Sequence, residues 1–471
     1  MRRNVLLVLL AFLAAPGLVR AQSAVPPPGP GYYFLLGRNF EASGDIDKAI
    51  AAHKQAIALA PGSAELRAEL AGLLARQQRA VEAIDMAEEA LEIDPLNREA
   101  NRIVGSIYAA LSEQRRPLRP GESPQLYAAR AIAALERARE GRNPDTNTEL
   151  TLGRLYLSSG AYDKAIPILR RIADEQPNYP DVALLLASAQ EGAGRTDEAI
   201  RTLEGALAEN PRFARGLVLL AELNEKQARW GAAADAYKRA QELNARVDLT
   251  TKRAAALINA GKAGEARDLL QPAASKPDAE AVLLYLYAAS QRQAGDLEGA
   301  EATARRLRKA APDDPRGMYV LAQVLEARGD LPGAEQALRD LLQRDPTDAT
   351  ALNYLGYMFA ERGERLDEAV DLVQRALKEE PGNPSFLDSL GWAYFQQGKL
   401  DLADPPLTEA AEKMPNNSVI LDHLGDLRFK QQRFADAAVA WERSLAGDGE
   451  SIDRTRISQK IQDARSRMEA R

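Results

Sequence analysis

The 471-residue chain has no cysteine, which excludes disulfides, thiolate zinc sites, iron–sulfur clusters, thiol catalysis and lipid attachment through cysteine. Histidine is almost as scarce. His53 and His423 are the two in the chain, so any Ser–His–Asp proposal must use one of them. Aromatic residues make up 6%, while alanine is visibly the commonest residue, a balance that favours packed helices over a β-sandwich. Basic residues are outnumbered, 61 against 68 acids, for a net charge of −7. Such a chain lacks the positive footprint that duplex nucleic acid demands. No phosphate-cradling glycine loop occurs between a strand and a helix, and no strand-rich stretch leaves room for a nucleotide-binding domain. Hydrophobic residues at 45% and charged residues at 27% are ordinary for a folded soluble protein.

Long apolar runs are also missing beyond the first residues. Met1 to Ala21 has Arg2 and Arg3, an apolar run from Val5 to Ala15, and the small-residue step Val19-Arg20-Ala21 before Gln22. This is the pattern of a secretory signal peptide, and its apolar run falls short of the roughly 20 residues a bilayer span needs. An uncleaved anchor is the alternative. Removal of the segment takes away three arginines and no acids, which moves the net charge from −7 to −10. Residues 22–30 follow as a stiff proline-rich linker, with Pro26, Pro27, Pro28 and Pro30. The expectation is a periplasmic protein with no integral span after cleavage, and with no cysteine to make it a lipoprotein.

The body of the chain repeats. A Gly or Ala recurs at Gly37, Ala71, Gly105, Gly153, Ala187, Ala221, Ala254, Ala288, Ala322, Gly356, Gly391 and Gly425, following a hydrophobic residue everywhere but at Ala254. Eight of the eleven intervals are 34 residues. A second small residue follows each, from Ala49 to Ala437, and in ten of twelve cases it lies 12 residues on. Proline closes most units, as at Pro61, Pro95, Pro177, Pro346, Pro381 and Pro415. Each unit therefore reads as two amphipathic helices, A and B, joined by a turn such as Gly160, Gly194, Gly295, Gly329 or Gly398. Small residues at the two fixed positions let the helices approach closely, and the proline ends helix B. One such pair cannot bury its own apolar face, so neighbouring pairs must stack.

The pattern resembles the tetratricopeptide repeat family. Repeat eleven carries it in Leu387, Leu390-Gly391, Tyr394, Gly398, Ala403, Leu407, Ala410 and Pro415; repeat one in Tyr33, Leu36-Gly37, Phe40, Gly44, Ala49, Ala56 and Pro61. The resemblance runs from about Gly31 to Gly449. It implies an all-α, right-handed superhelical solenoid of about twelve repeats, with the A helices lining a concave groove. Repeats one to six occupy 31–247 and repeats seven to twelve 248–450. Repeat three holds an insert at 112–124, and residues 451–471 form a capping helix with Ile457, Ile461, Ala464 and Met468 on one face. Ala245 and Gly449 replace the closing proline of repeats six and twelve. Pro167 and Pro406 are expected near the first turn of their B helices, where missing donors cost least.

Candidate chemistry is thin. His53, in helix B of repeat one, reads as core filler. His423 lies between Asp422 and Asp426, and helical spacing pairs it with Asp426 as a surface contact. No catalytic residue, metal ligand or cofactor is assigned. The groove positions implied by the resemblance are mixed in the first repeats and become aromatic and acidic from repeat eight. They are Tyr285, Tyr319, Asn353, Tyr357, Asp388, Trp392, Phe395, Asp422, Asp426 and Phe429. Flat rings with a few charges suit protein recognition, and an acidic groove favours a basic or apolar segment over a carboxylate. For Phe395 and Phe429, packing between adjacent A helices is an equal reading.

The segment from Leu352 to Leu445 is similar to bacterial envelope repeat proteins, among them adaptors of carboxyl-terminal processing proteases. The resemblance implies a non-enzymatic scaffold binding proteins in its groove, a processing protease and its substrates being one such set. The alternative is a subunit of an envelope polysaccharide synthesis, export or other assembly machine. Either is compatible with a homo-oligomer.

Overall fold

The computed structural model describes residues 28–114, 122–139, 145–243, 248–447 and 452–469. The signal peptide, most of the linker, most of the repeat-three insert, Ala245 and Gly449 lie outside these residues. Twenty-five helices and no strand occur among the described residues.

The chain divides into two compact units, Met1–Pro211 and Arg212–Arg471. The division falls one repeat ahead of the 247/248 boundary drawn from the sequence. In the first unit α1 (Pro30–Ala42) pairs with α2 (Ile46–Leu59), and α3 (Ala64–Arg76) with α4 (Ala80–Ile93). Next come α5 (Arg98–Gln114) with α6 (Pro124–Arg139), α7 (Thr146–Ser158) with α8 (Tyr162–Glu175), and α9 (Pro180–Gly192) with α10 (Thr196–Glu209). The second unit begins with α11 (Ala214–Lys226) and α12 (Trp230–Leu243), then α13 (Thr250–Asn259) and α14 (Ala263–Ala274). It continues with α15 (Ala281–Gln293) and α16 (Leu297–Ala310), α17 (Arg316–Ala327) and α18 (Leu331–Arg344), α19 (Ala349–Arg362) and α20 (Leu366–Glu379). It closes with α21 (Pro384–Gln396) and α22 (Leu400–Lys413), α23 (Ser418–Lys430) and α24 (Phe434–Ala446), and the unpaired α25 (Arg454–Glu469).

Each helix pair is one repeat unit, and the three fixed sequence positions do what their chemistry requires. A Cβ on Gly391 would stand 2.5 Å from Leu407 Cγ and 3.2 Å from the Ala403 carbonyl oxygen, so the glycine sets how closely α21 and α22 approach. The second small residues, Ala49, Ala83, Ala165, Ala369, Ala403 and Ala437 among them, are fully buried. Helix B ends two residues before the closing proline at Pro61, Pro95, Pro177, Pro211, Pro312, Pro346, Pro381 and Pro415. At Ala60, Gln176, Asn210, Asp345, Glu380 and Met414 the backbone φ lies between −123° and −137°, outside the helical region, which the following proline disfavours.

The carbonyls these prolines leave exposed find donors one repeat later. In the second unit a basic residue from the next B helix reaches back across about thirty residues. Arg306 donates to the Ala274 carbonyl, Arg344 to Pro312, Arg375 to Pro346 at 3.0 Å, Lys413 to Gly382 at 2.8 Å and Arg443 to Pro415 at 3.2 Å. A second row of ion pairs joins successive A–B junctions, Arg195 to Asp163 in the first unit and Arg365 to Glu335 in the second. Burial inside each pair is thus supplemented by polar ties between pairs.

Two expectations are corrected. Pro167 and Pro406 sit inside their B helices, beyond the first turn, and α22 carries Pro405 beside Pro406. Each removes a donor to the carbonyl four residues earlier. The helices continue through them because the flanking Ala165, Leu169, Ala403 and Leu407 are fully buried against the partner helix.

Candidate protein-binding surface of the C-terminal repeats

Successive A helices of the second unit present the residues singled out from the sequence. Tyr285 on α15, Tyr319 on α17, Tyr357 on α19 and Phe395 on α21 are all half-buried rings. Each is held by a neighbour. The Arg316 guanidinium lies 5.8 Å from the Tyr285 ring centre, and the Tyr319 hydroxyl donates to Asp348, the N-cap residue of α19. The Tyr357 hydroxyl donates to Glu361, one turn further along α19, at 3.0 Å. Burial together with nearby carboxylates pushes the Tyr319 and Tyr357 phenols upward, so both are neutral donors.

Trp392 departs from the expected groove role. It is 8% exposed, stacked on Phe395 at 4.9 Å and on the His423 imidazole at 4.0 Å, with both ring pairs 12° from parallel. Its indole N–H is buried without a hydrogen-bond partner, as is the Asn353 side-chain oxygen. The indole therefore belongs to the packing between α21 and α23, with Phe395 covering its outer side.

His423 is the residue the sequence misplaced. It pairs with neither neighbour on its own helix. Its Nδ1 lies 2.9 Å from Asp388 Oδ1 on α21, and its Nε2 lies 3.7 Å from Glu361 on α19. Both His423 and Asp388 are buried. Desolvation pulls the imidazole pKa down, but the two carboxylates outweigh it and carry the group up to about 10. At neutral pH a buried imidazolium thus sits between two carboxylates and against an indole face, a pairing that also gains from cation–π attraction. The contact with His423 holds the Glu361 carboxyl below its ordinary range.

Asp422 and Asp426 are likewise committed. Lys460 of α25 reaches both, with Nζ 2.8 Å from Asp422 Oδ1 and 2.6 Å from Asp426 Oδ1. Phe429 packs 5.2 Å from Phe434 and 5.6 Å from Trp441, and the Arg467 guanidinium covers its ring at 5.0 Å. Asp388, Asp422 and Asp426 each face a cation of the chain itself. Glu361, with 45% of its side chain exposed, is the most open of these four carboxylates. Sequence reasoning missed Glu361, Lys460 and Arg467. Glu361 lies four residues after Tyr357 on the same helical face, a spacing that could have found it.

His53 is core filler, 1% exposed, with its ring packed where a Gly37 side chain would otherwise stand. Burial lowers its pKa and keeps it neutral. No described helix is long and apolar enough to cross a membrane.

Comparison with known proteins gives the family. Two models described as tetratricopeptide repeat match residues 184–246, 319–384 and 362–418, and residues 41–107 and 128–189. The chain is similar to the TPR repeat-containing protein PA4667 of Pseudomonas aeruginosa, at 29% identity over 203 residues. That match takes in 43% of this chain and 34% of the other, so the chain spans about a third of the length of the curated relative. Among solved structures it is similar to yeast Tom70, at 15% identity and a TM-score of 0.48, over 93% of this chain and 95% of that one. A tetratricopeptide repeat protein from Parabacteroides merdae aligns at 16% identity and a TM-score of 0.43, over 53% of this chain and 98% of that one. With the repeat matches spread over more than half of its length and twelve helix pairs to carry them, the chain belongs to the tetratricopeptide repeat family, whose repeats mediate protein–protein interaction and whose fold is typically non-enzymatic.

Proposed function

We propose that the chain is a protein-binding scaffold of the bacterial cell envelope that engages its partner through the A-helix face of repeats eight to eleven. The observation that carries this reading is the row of half-buried rings Tyr285, Tyr319, Tyr357 and Phe395 on four successive A helices. Each ring is pre-set by a charged or aromatic neighbour, so it offers contact area with little side-chain entropy left to lose. A processing protease with its substrates remains our assignment for the partner, on the resemblance of repeats ten to twelve to envelope adaptors. The charged leader at Met1–Ala21 supports the envelope location.

Because Asp388, Asp422 and Asp426 already face internal cations, the surface selects by shape and by donors to Glu361 more than by a broad negative field. The test is photo-crosslinking in intact cells from positions 357 and 395, with Val439, exposed on helix B of repeat twelve, as the control. A partner captured from 357 and 395 and not from 439 supports the reading. Capture from 439 alone moves the interface to the B-helix face, and recovery of polysaccharide-export subunits replaces the protease assignment.

A further inference from the structure

Three charged side chains follow one another along the ends of the A helices in repeats eight to ten. Arg292 lies four residues after Ala288 on α15, Glu326 four after Ala322 on α17, and Glu361 five after Gly356 on α19. They hold nearly the same place in successive repeats, and all three are at least partly exposed.

The chain itself leaves each of them short of a partner. The Arg292 guanidinium makes no ion pair among the described residues, and its Nε is buried without an acceptor. Glu326 accepts the Tyr354 hydroxyl and has no described cation within ion-pair distance. Both act on the Tyr354 phenol, Glu326 raising it and Arg292 lowering it, yet they form no pair with each other. Glu361 shares His423 with Asp388, so two carboxylates meet one imidazolium and a negative charge is left over. The Tyr357 ring stands in that field, with Glu361, Asp388 and Glu326 all pushing its phenol upward.

The row therefore reads as one cation and then two anions, one per repeat. Packed helices stand about 8–10 Å apart, which sets the step between successive charges. A polyproline II segment turns once in three residues and rises about 9 Å in doing so, so its residues i, i+3 and i+6 share one face at that step. A β-extended segment would point residues three apart to opposite sides.

We infer that this row binds a polyproline II segment of a partner protein that carries an acidic residue and two basic residues at three-residue intervals. The acid meets Arg292, and the bases meet Glu326 and Glu361. The half-buried rings of Tyr354 and Tyr357, held by those two carboxylates, give the intervening residues a flat surface to pack on. The inference deepens the protein-binding reading and rests on it. Crosslinking from 357 and 395 with no peptide binding would keep that reading and reject this one.

The test titrates the full chain into a fluorescein-labelled peptide, Asp-Pro-Leu-Lys-Pro-Leu-Lys, blocked at both ends and read by anisotropy. The row sets spacing and sign but not chain direction, so the peptide is made in both directions and the tighter one is used. A peptide of the same composition with the spacing broken, Asp-Lys-Pro-Lys-Leu-Pro-Leu, should bind about ten-fold more weakly. Arg292→Glu should weaken the intact peptide by about ten-fold, and lysine in place of its aspartate should restore binding. Glu361→Lys should weaken it similarly, and aspartate in place of the lysine farther from the acid should restore binding. Rescue by the matching charge is a result that a purely structural role would not give. Arg292→Glu breaks no ion pair of the chain, so it carries the test if circular dichroism shows that Glu361→Lys has lost its helices. No binding in either direction up to about 1 mM overturns the proposal, since such affinity is too weak for recognition. Equal binding of the broken-spacing peptide overturns it as well, and so does a loss in Arg292→Glu that the lysine peptide does not rescue.

Discussion

His423 and Asp388 stand 35 residues apart in sequence and 2.9 Å apart in space, one repeat reaching back to the one before. Neither is solvated, and the pair is closed on its other sides by Trp392 and Glu361. Removing one partner strands a buried charge, which costs about 3–5 kcal/mol, whereas replacing both by apolar residues of similar size is close to neutral. His423→Leu and Asp388→Leu should each lower the urea midpoint of the C-terminal repeats, and the double variant should recover most of the loss. Additive single losses would show that the two residues act independently.

The same pair makes stability depend on alkaline pH. The imidazole is held up to about 10 in the folded chain and titrates near 6.5 when unfolded. Between those values the folded state binds the extra proton, so stability falls as the pH rises. The contribution is complete below about 6.5 and disappears as the pH passes about 10, with a slope of at most about 1.4 kcal/mol per pH unit. Urea melts from pH 6 to 10 should show this decline, and Asp388→Asn should flatten the difference.

Gly391 tests how local the packing is. The Cβ of a leucine there would stand 2.5 Å from Leu407 Cγ, closer than side chains approach, and would crowd the Ala403 carbonyl at 3.2 Å. Overpacking of this kind costs about 1–3 kcal/mol. Because each helix pair touches mainly its neighbours, the loss should concentrate around α19 to α24. Hydrogen exchange of Gly391→Leu should show protection lost there and retained in α1 to α10. Uniform loss along the chain would mean that the repeats melt as a single unit.

How much of this was legible in the sequence follows from where each determinant lies. The repeat period, the proline that ends helix B and the small residues at the A–B contact are set by local chain geometry, and the helix pairs follow them. The site is non-local. Helical spacing looks along one helix and paired His423 with Asp426, yet His423 faces the preceding repeat and Asp426 faces Lys460 of α25. Trp392 illustrates the same gap: its position in the repeat matched a groove residue, and its burial depends on His423 and Phe395 closing over its two faces. Pro167 and Pro406 were placed a turn too early because tertiary burial on either side carries their helices through them.

The A–B turns offer a gain in stability. Gly160, Gly194, Gly295, Gly329 and Gly398 adopt φ between +72° and +84° there, and Ala228 fills the equivalent place in repeat six with φ +52°. A side chain in this left-handed region costs about 1–2 kcal/mol. Glycine removes that strain but gives back part of it through a more flexible unfolded chain, leaving about 0.5–1 kcal/mol. Ala228 N–H still donates to the Glu225 carbonyl, and glycine keeps that bond. Ala228→Gly should therefore raise the melting temperature of the second unit, while Gly329→Ala, the reverse change in repeat nine, should lower it by a similar amount. A fall on Ala228→Gly would mean that chain entropy outweighs backbone strain at this turn.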